Sequence, residues 1–283
     1  MRRLTMSVKI VTDSDADVPS QLAKDLDITV IPQYVMFGRT SYRSGVDMTD
    51  EEFYQKLLIG PVFPTTSQPT LKDFTDVYTS LAREADGIIS IHVSSKLSGT
   101  SKVAEQAGKD AKLNCPVEII DSRNISMAMG LIAISAARMA KAGEGFNEIV
   151  AATNSMVSRT KLQMLFGTLE YLAKGGRIGK AKSLLGSMLN VKPILTLNDG
   201  EIVPVTQVHS QSKGMEKLLD FVKRSNDIEE VGICYTTLFD EANSLASRVS
   251  AISKANIIIS RVGPGLGAHG GPGGIGVALM TKS

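Results

Sequence analysis

The 283-residue sequence has no tryptophan, two cysteines and three histidines, and aromatic residues make up only 5% of it. Its core must therefore be mainly aliphatic. Cys115 and Cys234 are far apart and fit no metal-ligand spacing, so we expect reduced thiols and no metal site. No apolar run is long enough to cross a bilayer, and Leu4–Val8 is too short for the core of a signal peptide. These absences predict a cytoplasmic protein that does not insert into membranes.

An excess of charge of one sign is also lacking, because 31 basic residues are balanced by 29 acidic ones. Proteins that track a phosphate backbone usually carry a clear basic excess or a clustered basic stripe. The sequence has neither, so we expect no nucleic acid partner. Its length is comfortable for two domains, and its 43% hydrophobic content is ordinary for a globular protein.

Short apolar segments alternate with helical patterns through the first half of the chain. Strands are predicted at Val8–Thr12, Thr29–Phe37, Gly87–Val93 and Val117–Ile120. Helices are predicted at Pro19–Leu26 and over Ile125–Ala142, and after the capping boxes that begin at Thr49 and Thr70. Another predicted helix follows the turn at Ser94–Thr100 and ends near Ala111. The helix over Ile125–Ala142 is apolar nearly all round, which favours burial between layers. The alternation predicts a parallel sheet with helices on both faces.

The second half contains an antiparallel signal. Lys192–Leu197 and Glu201–Val208 are strand candidates joined by Asn198-Asp199-Gly200, and Asp-Gly between apolar runs predicts a hairpin. Further strands are predicted at Leu162–Phe166, Val231–Tyr235 and Ile257–Val262, and helices at Lys180–Leu189, Lys213–Arg224 and Glu241–Ser253. We therefore expect an α/β fold of two domains, a parallel-sheet domain at 1–158 and a mixed-sheet α/β domain at 159–283.

Two segments rich in hydroxyl side chains are candidate anion sites. Pro64–Thr70 holds Thr65, Thr66 and Ser67 directly before a helix start, and Ser94–Thr100 lies between a buried strand and a helix. Hydroxyls and free N–H groups at a helix N-terminus suit a carboxylate or a phosphate. The carboxyl end of a parallel strand is also where α/β proteins bind ligands. Plain turns with capping residues are the alternative.

Glycine-rich segments supply two more candidates. Gly263–Gly276 is expected to be a loop that holds His269, and its Gly-x-Gly-x-x-Gly pattern lacks the further strand and acidic residue of a dinucleotide site. Lys174–Ile178 places Arg177 after paired glycines, where a guanidinium can reach an anion. A helix end followed by a surface arginine is the alternative for that segment.

The acidic run Asp13–Asp17 follows the first predicted strand. It does not fit a calcium loop, because Val18 and Lys24 occupy positions that need glycine and glutamate. It half-matches the aspartyl-phosphate motif of haloacid-dehalogenase-type phosphotransferases, so a phosphotransferase or phosphatase using Asp13 is the alternative function. Helix capping is the simpler interpretation. Residue types alone leave a Ser-His-Asp hydrolase open, although no Gly-x-Ser-x-Gly motif is present.

These motifs occur in the order of a known family. Asp13-Ser14, Thr66–Pro69, Leu97–Thr100, Lys174–Ile178, Lys192–Leu195 and Gly263–His269 follow one another over essentially the whole chain. In this set the sequence resembles the DegV family of bacterial fatty-acid-binding proteins. The resemblance implies a two-domain fold that buries a long-chain fatty acid such as palmitate, without a cofactor.

The resemblance also assigns roles to residues. It implies that Thr66 and Ser98 hold the fatty-acid carboxylate and that Arg177 and His269 lie near it. Thr65, Ser67, Ser95 and Gly99 remain possible neighbours. It further implies a protein that is not itself an enzyme and that presents the fatty acid to a separate fatty acid kinase subunit for phospholipid synthesis. A ligand-sensing partner protein is a further possibility.

One position departs from the family pattern. His209 follows the second hairpin strand, where the family often has an arginine. Histidine can be neutral near neutral pH and arginine cannot. The departure puts the kinase partnership in question and leaves the assignment of Thr66 and Ser98 untouched.

Overall fold

A computed structural model of the protein describes residues 7–184 and 191–282. The first half forms the predicted parallel sheet, in the order β2-β1-β6-β7. Its strands are β1 (Val8–Asp13), β2 (Ile28–Ile31), β6 (Gly87–His92) and β7 (Val117–Asp121). All three strand pairs of this sheet are parallel.

Helices cover both faces of this sheet, as the alternating pattern predicts. The helices of this half are α1 (Ser20–Asp25), α2 (Asp50–Ile59), α3 (Leu71–Leu81), α4 (Thr100–Asp110), α5 (Ser126–Lys141) and α6 (Phe146–Arg159). Of these, α2 packs away from the parallel sheet, in an apolar cluster with Val35 and Ala268. The capping boxes of Thr49 with Glu52 and of Thr70 with Asp73 are both formed. Phe74 and Tyr78 of α3 pack with Ile88 on one face, whereas α5 packs on the other. The sequence analysis did not identify α6.

The segment Thr29–Phe37, predicted as one strand, is two strands in different sheets. The chain leaves β2 at Pro32, which has no N–H to continue a ladder, and resumes as β3 (Tyr34–Phe37). There β3 pairs antiparallel with β4 (Thr40–Arg43) and β5 (Thr65–Ser67) in a three-stranded sheet. This small sheet holds the middle of the first hydroxyl segment in an extended conformation.

The second half forms a mixed six-stranded sheet in the order β10-β9-β8-β13-β11-β12. Its strands are β8 (Thr160–Leu165), β9 (Lys192–Asn198), β10 (Glu201–Val208), β11 (Ile228–Tyr235), β12 (Asn256–Arg261) and β13 (Ile275–Thr281). The predicted hairpin is confirmed: β9 and β10 are antiparallel, and Asp199 and Gly200 both have positive φ at the turn. Only glycine, asparagine and aspartate adopt that conformation readily.

The other helices of this half are α7 (Glu170–Lys174), α8 (Gln211–Lys223), α9 (Phe239–Ser250) and α10 (Pro264–Gly270). Apolar side chains of α8 and α9 pack on β11 and β13. In the predicted helix Lys180–Leu189, the structure has a 3₁₀ turn at Gly179–Leu184, and the rest of that prediction lies outside the described residues. Helix α5 is buried among residues of both large sheets, which confirms its predicted position between layers.

The expectation of a loop over Gly263–Gly276 is wrong. Pro264 at the first turn starts α10, and Ile275 begins β13, a buried strand inside the six-stranded sheet. Glycine lowers helix propensity, so the local sequence hides a helix that is stabilised by packing. Its contacts require small residues, because a Cβ at Gly267 would stand 2.7 Å from Phe53.

The two-domain α/β architecture is confirmed, with one parallel and one mixed sheet. The predicted boundary between residues 158 and 159 falls in the last turn of α6, just before β8, and stays a prediction. Within the described residues, no helix is both long and apolar enough to cross a membrane.

Candidate functional site

A cavity of about 230 Å³ opens beside the carboxyl ends of β1, β2 and β6. Both halves of the chain contribute to its wall. Its polar lining includes Thr66, Ser98, Arg177 and His269. Its apolar lining consists of Val93, Leu97, Ile125, Met164, Phe166, Leu172, Ile202, Val262 and Leu266. The cavity is therefore an aliphatic slot with a cluster of polar side chains.

Thr66 reaches this cavity because it lies in the middle of β5. Successive side chains of a strand point to opposite faces, so Thr66 is half-buried whereas Thr65 and Ser67 are exposed. The Thr66 Oγ1 atom shares a hydrogen bond of 2.7 Å with Nε2 of His269. Strand alternation thus distinguishes Thr66 from Thr65, which the sequence pattern left open.

His269 lies on α10 rather than in a loop. Burial, and then the charge of Arg177, lower the pKa of its imidazole to about 4, so it is neutral near neutral pH. Its Nδ1 atom is buried without a hydrogen-bond partner among the described residues. An unsatisfied buried N–H is costlier than an unsatisfied lone pair. We therefore assign the proton to Nε2, which donates to Thr66.

Ser98 belongs to a second chain of hydrogen bonds. The Nε2 atom of Gln33 donates to Oγ1 of Thr100 at 3.1 Å, and Thr100 Oγ1 lies 2.8 Å from Ser98 Oγ. Either hydroxyl can donate in this pair; we assign the proton of the bond to Thr100, which is fully buried and has no other acceptor among its described contacts. This arrangement leaves the Ser98 O–H free to donate into the cavity.

Direct packing joins the two hydroxyl segments. A Cβ added at Gly99 would stand 2.5 Å from Oε1 of Gln68, so the Gln68 side chain packs directly against the backbone of Gly99. Ser67 and Gln68 line the cavity, whereas Thr65, Ser95 and Gly99 are not among the described lining residues. The backbone N–H of Ser95 donates instead to Asp121, at 3.2 Å.

Arg177 lies at the edge of this polar cluster. Its side chain is exposed, and its guanidinium donates to the carbonyls of Gly175 at 2.7 Å and Leu97 at 3.4 Å. It therefore supplies positive charge beside the cavity while its position is fixed by backbone acceptors. His209, by contrast, is exposed just after β10 and does not line the cavity.

Sequence reasoning missed Gln33 and Asp15 as cavity residues. Asp15 belongs to a 3₁₀ turn (Ser14–Ala16) after β1, and Gln33 follows the proline that ends β2. Both positions follow strands of the parallel sheet, so the strand-end rule was the signal that could have identified them. Asp15 lies in the acidic run that the sequence analysis interpreted through Asp13, and Gln33 belongs to none of the motifs.

Asp13 does not face the cavity. Its carboxylate accepts hydrogen bonds from the backbone N–H groups of Val93 at 3.1 Å and Asp15 at 3.0 Å, and lies 2.9 Å from Nδ1 of His92. The other ring nitrogen of His92 lies 2.7 Å from Ser90 Oγ. Hydrogen bonds connect Ser90 to His92 and His92 to Asp13, as in a hydrolytic Ser-His-Asp triad, but all three side chains have 0% exposure. They form an internal polar network.

No group of three or more histidine, cysteine, aspartate or glutamate side chains in the described residues is arranged to hold a metal ion. The polar groups that line the cavity are hydroxyl, amide, imidazole, guanidinium and carboxyl groups. These can bind an oxygen-bearing ligand through hydrogen bonds.

Comparison with known proteins gives a consistent result over the whole chain. The family model described as "Uncharacterised protein, DegV family" matches residues 7–282. A DegV domain-containing protein from Caldanaerobacter subterraneus subsp. tengcongensis is 36% identical over 279 residues, which cover 97% of this chain and 99% of that protein.

Solved structures are similar over the same length. A DegV family protein from Thermus thermophilus, described as binding fatty acid, has a TM-score of 0.90 and 31% identity, and the match covers 98% of this chain and 100% of that one. DegV from Bacillus subtilis, described as a fatty acid binding protein, has a TM-score of 0.90 and 28% identity with the same coverage. The chain belongs to the DegV family.

Proposed function

We propose that this protein binds one long-chain fatty acid in the cavity, with the carboxylate held by the hydroxyls of Thr66 and Ser98. Arg177 and His269 then lie beside the head group, and the acyl chain lies along the aliphatic wall. The protein acts as a carrier and does not catalyse a reaction itself. The fatty-acid-binding relatives support this proposal.

The observation that carries the proposal is that two chains of hydrogen bonds each leave one hydroxyl group free to donate into the same cavity. His269 donates to Thr66 and leaves the Thr66 O–H free, and Gln33 and Thr100 together leave the Ser98 O–H free. A ligand at this place must accept two hydrogen bonds, one from each hydroxyl. A carboxylate has two acceptor oxygens and no donor, so it can accept from both the Thr66 and the Ser98 hydroxyl.

The rest of the cavity suits an acyl chain. Each buried methylene contributes about 0.8 kcal/mol, so the aliphatic wall supplies most of the affinity for a long chain, offset by the cost of ordering it. A carboxylate taken out of water needs hydrogen bonds to offset its desolvation. The neutral His269 polarises Thr66 without bringing a full charge into the slot, and the exposed Arg177 adds positive potential at its edge.

We infer that the carrier works in the cytoplasm with a separate fatty acid kinase subunit, because the resemblance implies this partnership. A cavity that encloses the acyl chain suits delivery of a poorly soluble molecule to a second protein. Exposed His209, in place of the usual arginine, then affects contact with the partner rather than fatty-acid affinity. The buried position of Asp13 gives no support to the phosphotransferase alternative.

The first test is mass spectrometry of the purified protein, native and after solvent extraction, followed by palmitate titration of stripped protein. We expect a stoichiometric fatty acid, and a loss of palmitate affinity on the order of 100-fold in the Thr66→Ala/Ser98→Ala double variant, because hydrogen bonds to a charged group are lost. Thr65→Ala/Ser95→Ala is the matched control, since neither residue lines the cavity. Equal affinity in the two double variants would remove the head-group assignment.

A further inference from the structure

The carboxyl group of Asp15 stands without a partner in the wall of the cavity. The residue is only 8% exposed, it lines the cavity, and its Oδ1 atom has no hydrogen-bond partner among the described residues. Asp15 takes no part in the proposed binding of the fatty-acid carboxylate. Oδ1 lies against α10 and has almost no accessible surface, so Oδ2 is the oxygen that a ligand can reach. A largely buried carboxyl group without a hydrogen-bond partner costs stability, so its presence in a binding cavity points to a partner on the ligand.

Helix α10 fixes where Asp15 lies relative to the head-group cluster. A Cβ added at Gly265 would stand 2.2 Å from Oδ1 of Asp15, so Asp15 lies directly against that residue. Gly265 and His269 are four positions apart on the same helix, which places them on one face and about 6 Å apart along its axis. Both line the cavity, as do Leu266 and Gly270, so the cavity runs along α10.

This spacing indicates which part of a bound chain faces Asp15. Three bonds of an extended chain span about 3.5 Å, so 6 Å corresponds to roughly five bonds. For an acyl chain that runs from a carboxylate at Thr66 and His269 along α10 towards Gly265, the Asp15 carboxyl lies near the fifth carbon. A plain hydrocarbon chain offers no atom there that can accept or donate a hydrogen bond.

The state of Asp15 suits a neutral polar partner. Burial, and then the charges of Asp13 and Asp17, raise its pKa well above the ordinary value. In its protonated form the group has one O–H donor and an acceptor oxygen. A hydroxyl group can use both, and an oxo group can accept from the donor. An ionised carboxyl at this distance would instead repel the fatty-acid head group.

We propose that Asp15 is a second ligand contact that makes the cavity select fatty acids with a hydroxyl or oxo group near the fifth carbon. This inference rests on the proposed function, because it takes the position of the carboxylate from it. Asp15 is thus a specificity-determining residue, whereas Thr66 and Ser98 bind the group that all fatty acids share.

The test is a set of titrations of stripped protein with stearate and with two hydroxystearates, one carrying its hydroxyl on the fifth carbon and one on the twelfth. In the wild-type protein we expect the first hydroxystearate to bind about fivefold more tightly than stearate, the gain of one net hydrogen bond. The second should bind more weakly than stearate, because its hydroxyl is buried against apolar side chains.

Two variants assign the preference to Asp15. Asp15→Val removes both polar atoms at similar size and should reverse the preference, so that stearate binds more tightly than the first hydroxystearate. Asp15→Asn keeps a donor and an acceptor and should retain the preference. If Asp15→Val does not fold, the comparison of the two hydroxystearates in the wild-type protein and in Asp15→Asn still decides.

The outcomes separate this inference from the function on which it rests. Failure of the wild-type protein to bind stearate at all would overturn the proposed function and this inference with it. Stearate binding with no preference between the two hydroxystearates, or a preference that Asp15→Val leaves intact, would overturn the role of Asp15 alone.

Discussion

The backbone of Gly175 lies directly against the imidazole of His269: a Cβ atom at position 175 would stand 2.2 Å from Nδ1. Gly175 ends α7 with a φ of −77°, a value that any residue adopts. Space beside His269 therefore explains a glycine here, and backbone conformation does not. The Gly-Gly-Arg segment thus contributes to the site in two ways, since Gly175 admits the imidazole and Arg177 lies beside it.

Gly175→Ala should lower palmitate affinity by about tenfold. The added methyl group displaces His269, and the hydrogen bond that orients the Thr66 hydroxyl is weakened, at a cost of about 1 kcal/mol or more. Titration of stripped protein with palmitate measures the effect. Gly108→Ala is the matched control, because its Cβ would lie 3.7 Å from Val117, an ordinary contact. Equal affinities for the two variants would contradict the role of Gly175.

The pKa of His269 predicts a dependence of stability on pH. In the folded protein the pKa is about 4 and the ordinary value is 6.5. Between these values the unfolded chain binds a proton that the folded protein does not. The free energy of unfolding therefore falls as the pH drops from 6.5 towards 4, by up to about 3 kcal/mol from this group.

Other groups titrate in the same range, so the contribution of His269 is measured as a difference. Chemical denaturation of the wild-type protein and of His269→Gln is carried out at several pH values. The difference between their free energies of unfolding should be constant above about pH 6.5 and should shift, to the disadvantage of the wild-type protein, as the pH falls from 6.5 towards 4. The glutamine keeps a hydrogen-bonding side chain without a titrating group. Parallel curves would show that the His269 imidazole titrates normally and is not desolvated.

The sequence predicted correctly those parts of the fold that are determined by residues close together in the chain. The Thr49 and Thr70 capping boxes and the Asp199-Gly200 turn depend on residues within four positions of one another, and all three are present. The helix at His269 was not predicted, because glycines disfavour helices in isolation and only distant residues such as Phe53 explain them.

The same limit applies to the site. Thr66 and Ser98 lie within motifs whose hydroxyl content marks them, so sequence reasoning could name them. Gln33 and Asp15 could not be assigned to the cavity by type, because their role depends on how three strand ends and α10 come together. Sequence therefore predicts which segments meet the ligand better than which single residues complete the hydrogen bonds.

Asp17 should give a pH dependence of the opposite sign. Its carboxyl accepts from Ser126 Oγ at 2.5 Å and from the Gly263 N–H at 2.8 Å, and joins the first half of the chain to the start of α10. Burial raises its pKa from 3.8 to about 8. The folded protein therefore holds a proton that the unfolded chain has lost, and this stabilisation disappears as the pH rises from about 4 through 8.

Asp17→Asn carries a neutral side chain at every pH. Relative to the wild-type protein, its free energy of unfolding should therefore rise steadily from pH 5 to pH 9, by several kcal/mol. Asp240→Asn, at an exposed position on α9, should show no such trend. A constant difference between Asp17→Asn and the wild-type protein would mean that Asp17 is ionised in the folded state.

Substitution of Asp13 tests whether the hydrogen-bond network of Ser90, His92 and Asp13 is structural or catalytic. In Asp13→Asn, the amide group can no longer accept from Val93, Asp15 and His92 together, and one N–H group meets another inside the core. We expect the free energy of unfolding to fall by about 3 kcal/mol. Asp27→Asn, which removes a surface ion pair with Lys9, should change it by less than about 1 kcal/mol.

The same pair of variants tests the phosphotransferase alternative. A nucleophilic Asp13 predicts magnesium-dependent turnover of a generic phosphate ester that vanishes in Asp13→Asn, with little change in stability. Because Asp13 has 0% exposure and accepts from two backbone N–H groups, we expect no turnover by either protein and a large loss of stability in the variant. If the wild-type protein turns over the ester and Asp13→Asn loses this activity while keeping its stability, the catalytic interpretation is restored. A group that only maintains the fold cannot abolish turnover without also lowering the free energy of unfolding.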